Sequence, residues 1–90
     1  MRIEFDTTKR DQTLAERGLD FARAGEVFAG QHLSHPDTRQ DYAEDRYVTT
    51  GWMDRRVVVM VWTSRGEVRR IISMRKANER EIKALGNALD

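Results

Sequence analysis

Val68–Glu81 reads VRRIISMRKANERE, a short apolar and cationic run that passes directly into a capped helix, and the other elements of the chain arrange themselves around it. Val68, Ile71, Ile72 and Met74 give Val68–Arg75 the character of a strand. Period-two alternation predicts Arg69, Ile71, Ser73 and Arg75 on one face, with Val68, Arg70, Ile72 and Met74 on the other. Neither face is purely apolar or purely polar. A guanidinium held on a rigid, half-buried strand is well placed to grip an anion such as phosphate. Asn78 then serves as an N-cap, and Glu81, three residues on, completes a capping-box pattern. Glu79 and Glu81 also stand where the helix dipole favours negative charge. Ile82, Leu85 and Leu89 recur at spacings of three and four, which predicts an amphipathic helix lying on a sheet. Glu81 thus has a structural task that competes with any catalytic one.

Working back from this segment, Arg46–Trp52 and Arg56–Thr63 read as two more strands. Met53–Arg55 forms a tight turn between them, and Ser64-Arg65-Gly66 is a short hairpin connection with glycine where φ is positive. Val57–Trp62 is apolar on both faces, as a central strand requires. Strands joined by hairpins are antiparallel, so the expected fold is α+β: an antiparallel β-meander with two N-terminal helices and a C-terminal helix packed on one side of it. Trp52, Trp62 and Tyr47 are assigned to the core.

The N-terminal half supplies the helices. Arg2–Asp6 alternates as a first strand, with Ile3 and Phe5 on one side. Thr7 or Thr8 caps a helix carrying Leu14 and Ala15, which stops at Gly18. Asp20 caps a second helix in which Phe21, Ala24, Val27 and Phe28 form one apolar stripe, ended by Gly30. His32–Asp45 is polar and loop-like, with a short edge strand at its start. It contains the only proline, Pro36, and an acidic cluster of Asp41, Glu44 and Asp45. His32 and His35, the only histidines, stand three apart near Asp37 but lack further firm ligands, so they are read as loop histidines and not as a metal site.

Ninety residues suit a single small domain spanning the chain. The absence of cysteine excludes disulfides and thiolate metal sites. Met1 leads into Arg-Ile-Glu-Phe-Asp without an apolar signal region, and the longest apolar run is far too short to span a bilayer, so a cytoplasmic protein without membrane contact is expected. The net charge of +1 hides an asymmetry: residues 55–83 carry nine Lys/Arg against three Glu, and residues 1–54 seven against eleven acids. A basic C-terminal half suits a polyanionic partner.

Four ordered motifs then carry a family resemblance. Arg70-Ile-Ile-Ser-Met-Arg75-Lys76-Ala77 with Glu81 resembles the RIIS-x-RKA…E signature of BrnT-type toxins of bacterial type II toxin–antitoxin systems. Phe5-Asp6-x-x-Lys9 resembles that family's opening FDxxK, and Gly18-Leu-Asp-Phe21 leading to Glu26-Val-Phe28 resembles its GxxF…EVF segment. Asp37-x-Arg39-x-Asp41-Tyr42-x-Glu44-x-Arg46 resembles its loop before the meander. The chain departs from the family at Glu16-Arg17, where Lys-His is common, at Ala43 for a glycine, and at Leu85 for a tyrosine. The resemblance implies a RelE-like fold and ribonuclease activity that needs no metal or other cofactor. It also implies neutralisation by a BrnA-type ribbon-helix-helix antitoxin, with DNA contacted only through that antitoxin.

Metal-free RNA cleavage proceeds by attack of a ribose 2′-OH on the adjacent phosphorus, and asks for a base, a stabiliser of phosphate charge and an acid. Arg46, Arg70, Arg75 and Lys76 are the expected charge stabilisers, with Ser73 as a hydrogen-bond donor and Glu81 as a candidate base. Lys9, Arg17 and Arg69 are expected to bind the substrate, and Lys76 or Lys9 is the candidate acid. Two other readings use the same basic face: a nucleic-acid-binding module without catalysis, and a protein–protein module.

Overall fold

The computed structural model describes residues 1–89 and has the order β1 (Arg2–Phe5), α1 (Thr7–Arg17), a 3-10 turn (Phe21–Arg23), α2 (Ala24–Ala29), β2 (His32–Pro36), β3 (Arg46–Met53), β4 (Arg56–Arg65), β5 (Val68–Lys76) and α3 (Glu79–Leu89). The five strands form one sheet in the order β1-β5-β4-β3-β2. The meander β2-β3-β4-β5 is antiparallel, but β1 pairs parallel with β5, so the sheet is mixed and not the expected all-antiparallel one. The physical reason is the crossover. β1 and β2 lie at opposite edges, and the segment between them must carry the chain across one face of the sheet.

That crossover builds the larger part of the core. Leu19, Phe21, Ala24, Val27 and Phe28 pack with Met53, Val58, Met60, Trp62, Ile71 and Met74. Gly51 lets α2 settle this close, because a Cβ there would lie 2.7 Å from Val27 Cγ1. The second N-terminal helix is shorter than its stripe suggests. Asp20 caps the 3-10 turn, accepting from the Ala22 amide, and only Ala24–Ala29 is α-helical. Asp6, not Thr7 or Thr8, caps α1 by accepting from the Lys9 amide, while Gly18 ends that helix at φ 71° as expected. No residue of α1 is buried. Polar ties hold it instead, with Arg10 forked onto Asp20 and Arg17 Nη1 donating to the Met74 carbonyl at 2.8 Å.

α3 lies on the opposite face, so the helices flank the sheet on both sides, in place of the one side expected. Its Glu81 and Ala84 share a groove with Val59, Val61, Ser73 and Arg75, which alternate along β4 and β5 with the residues of the first core. This second layer is thinner: Leu85 is buried, as are Val57 and Val59, but Ile82 is 43 % exposed. The side chain of Leu89, third in the expected stripe, lies outside the described residues. Trp52, expected in the core, is also largely exposed. A face covered by one short helix leaves part of its floor open, and the groove occupies that part.

A bulge decides which residues of β5 share this face. The pairing shifts between Val61 and Trp62: Val61 opposes Ser73, but Trp62 opposes Ile71. Simple alternation is therefore broken at Ile72. Arg69 and Ile71 fall on the N-terminal-helix face with Met74 and Lys76, whereas Arg70, Ser73 and Arg75 share the α3 face.

Candidate functional site

On the α3 face a groove of about 350 Å³ is floored by Val48, Val59, Val61 and Ser73. One lip is formed by Arg75 and Glu81, the other by His35, Asp37 and Arg39. The register explains the floor. His35, Val48, Val61 and Ser73 are lateral neighbours across β2, β3, β4 and β5. A second row on the same face, Arg46, Thr63 and Arg70, crosses β3, β4 and β5 farther along the strands.

The Arg75 lip is rigid because Glu81 does two things at once. Its amide donates to Asn78 Oδ1 at 2.8 Å and its Oε1 accepts from the Asn78 amide at 2.9 Å, which closes the expected capping box. The same carboxylate accepts both Nη groups of Arg75, at 2.8 and 2.7 Å. The Arg75 hydrogen bonds, opposed in part by burial and assisted by the Asn78 amide, hold Glu81 at about 2, below the usual carboxylate range. A carboxylate so stabilised is ionised at neutral pH and is a weak base.

The opposite lip has the same design. Asp37, whose side chain is 1 % exposed, accepts from Arg39 Nε at 2.8 Å and Nη2 at 2.7 Å. It also accepts from the Arg39 amide and from the Tyr42 hydroxyl. The Arg39 hydrogen bonds are the largest cause holding the Asp37 carboxyl well below the usual range. Tyr42 in turn lies under the Arg46 guanidinium, 4.1 Å from ring centroid to Cζ. Arg46 Nε is buried without a hydrogen-bond partner among the described residues, and its nearest carboxylate, Glu44, stands at 3.9 Å. Arg70 pairs with Glu4 of the neighbouring β1.

Of the residues expected to form the site, the structure brings Ser73, Arg75 and Glu81 together in the groove, with Arg46 and Arg70 on the same face. The others lie elsewhere. Lys76 and Arg17 line a separate shallow depression with Glu16, which Arg75 also touches from its own side. Arg17 is engaged with the Met74 carbonyl, and Lys9 sits exposed in the first turn of α1. Arg69 is neither in the groove nor simply solvated. It stacks over Phe28 and Trp62, at 4.4 and 4.6 Å, on the far side of the sheet.

Sequence reasoning missed His35 and Arg39. Both lie in a stretch whose polar composition suggests a loop, and the register that turns His35 onto the groove face is a property of the pairing with β3. His35 Nδ1–H donates to the Pro36 carbonyl at 3.1 Å, which leaves the lone pair of the neutral ring on Nε2. His32 pairs with Gly51 and so faces the opposite side of the strand, where its ring meets Phe28 edge-on. The two histidines therefore cannot share an ion. Among the described residues, no helix is long and apolar enough to cross a membrane.

Compared with known families, residues 5–81 match the model of the ribonuclease toxin, BrnT, of type II toxin-antitoxin system. The matched range contains every lip and floor residue of the groove except Ala84. No curated protein matches the chain.

Proposed function

The chain belongs to the BrnT family of type II toxin–antitoxin ribonucleases, acting on RNA and answering to an antitoxin, and from that premise we propose that it cleaves RNA in the α3-face groove without a metal. The observation that carries this reading is the convergence of Arg75 and Ser73 on the groove with Arg46 and Arg70 in the adjoining row. Arg75 meets the non-bridging oxygens of the scissile phosphate, where negative charge builds as the 2′-oxygen attacks. Ser73 donates to phosphate or ribose. Arg70 and Arg46 hold the flanking backbone. Glu81 acts by fixing Arg75.

Proton uptake from the 2′-OH falls to His35, and the departing 5′-oxygen takes its proton from water. Asp37 and Glu81, the carboxylates of the groove, are both held ionised by arginines, and imidazole is the side-chain type suited to proton transfer near neutral pH. The fold is read as RelE-like, the site of action as the cytoplasm, and the antitoxin as BrnA-type. The direct test is cleavage of RNA in excess EDTA. Activity that vanishes on chelation and returns with Mg²⁺ or Mn²⁺ would sink the metal-free scheme. His35→Gln should slow cleavage by about 10²-fold or more, the usual scale of a lost acid–base group. An unchanged pH–rate profile in that variant would remove His35 from the mechanism.

A further inference from the structure

Arg39 lies in the segment between β2 and β3 and has no part in the proposed cleavage, yet it lines the same groove as Arg75. Each of these two guanidiniums is gripped by two parallel hydrogen bonds from its own carboxylate, Asp37 for Arg39 and Glu81 for Arg75. Each carboxylate is itself pinned, Asp37 by the Arg39 amide and the Tyr42 hydroxyl, Glu81 by the Asn78 amide. Such pairs leave the remaining N–H donors of each fork pre-aimed, with little rotamer freedom left to lose on binding. We propose that Arg39 and Arg75 form a clamp that takes a single RNA phosphate between them, with Asp37 and Tyr42 as positioning residues for Arg39; the identity of the anion as RNA rests on the ribonuclease reading.

Two further facts support it. The positive charge of Arg39 is close enough to oppose that of Arg75, whose raised basicity comes chiefly from its Glu81 hydrogen bonds. Two like charges lining one open groove are relieved by an anion placed between them. Arg39 also remains 69 % exposed while its partner Asp37 is buried, so the pair presents the cation outward and hides the carboxylate. A loop tie serving stability alone has no need of that polarity.

The test separates the clamp from the chemistry by using a 2′-O-methyl RNA dinucleotide, which carries one phosphodiester and cannot be cleaved. Its affinity is measured by calorimetry for the wild type, Arg39→Gln, Arg39→Lys, Arg75→Gln and the double variant. Arg39→Gln should weaken binding by about 10-fold or more, the scale of a lost charge-assisted hydrogen bond, and Arg39→Lys should recover only part of it. Because both arginines grip one phosphate, the double variant should lose less than the product of the two single effects. Tyr42→Phe, which keeps the ring under Arg46, should weaken dinucleotide binding in the wild-type background and not in Arg39→Gln, and an equal loss in both would overturn its positioning role. Wild-type affinity in Arg39→Gln, strictly additive losses, or no binding by the wild type would each overturn the clamp. A wild type that binds the dinucleotide but cleaves no RNA leaves the clamp standing and overturns the ribonuclease reading instead. Should Arg39→Gln fail to fold, the charge-preserving Arg39→Lys and its own cycle with Arg75→Gln carry the same decision.

Discussion

At Glu81 one carboxylate closes a helix cap and orients a guanidinium, and the second task needs it ionised. Glu81→Gln keeps the reach to the Asn78 amide but loses the charge that holds Arg75. Cleavage is therefore expected to stay within about tenfold of wild type, whereas loss of a true base would cost about 10²-fold or more. Single-turnover rates at neutral pH distinguish the two. The pH dependence of stability follows from the same bonds. Glu81 has a folded pKa of about 2 against an ordinary 4.5, so the unfolded state takes up protons first as pH falls. Its contribution is complete above about pH 4.5 and is lost as pH drops towards 2, with Asp37 acting in the same direction. Urea midpoints should decline through that acid window, and less steeply in Glu81→Gln. Arg70→Ala and Arg75→Ala should abolish cleavage while circular dichroism stays native. Arg23→Ala is the control. Arg23 ties Asp54 and Glu26 together on the far side of the sheet, so its loss should lower stability slightly and leave cleavage intact.

At the scale of elements, two positions show how tightly the secondary structures are joined. Gly51 sits beneath α2, and an added methyl would press on Val27 Cγ1 at 2.7 Å and His32 Cβ at 3.0 Å. Gly51→Ala should cost about 1–3 kcal/mol, the usual range for overpacking, read from urea unfolding. The β3–β4 turn is strained in the other direction. Asp54 and Arg55 both have positive φ, 51° and 67°, as a two-residue hairpin of the right twist demands. An arginine there bears a left-handed conformation that glycine adopts freely. Arg55→Gly should raise stability by up to about 1 kcal/mol, and a destabilised variant would show that the Arg55 side chain contributes more than its backbone strain costs.

For the whole molecule, the charge split along the chain does not survive folding as two separate surfaces. The basic C-terminal half reaches back to the acidic N-terminal half, with Arg70 and Arg65 on Glu4 and Arg65 also near Glu44. The cations proposed to meet a polyanion are gathered locally, at the groove and in the row beside it. Expression of the protein alone should arrest bacterial growth, and co-expression of its antitoxin should restore it. Normal growth with abundant folded protein would contradict the toxin reading. RNA affinity should fall steeply with salt, as counterion release at several phosphates requires.

The amino-acid order alone specifies the α+β class, the central place of Val57–Trp62, the β4–β5 hairpin, the stop at Gly18 and the Asn78–Glu81 cap. These are local matters, set by periodicity, by φ preference or by side chains three residues apart. It also carried the family, because Arg70, Ser73, Arg75 and Glu81 lie in one continuous motif. Only the folded chain reveals that β1 runs parallel to β5, since pairing between strands more than sixty residues apart leaves no local trace. Only it decided that a bulge opposite Trp62 sends Arg69 to the far face and keeps Arg70 with Ser73 and Arg75. The Arg39 lip was beyond sequence for the same reason: a polar stretch reads as loop until register and a buried Asp37 fix which way each side chain points.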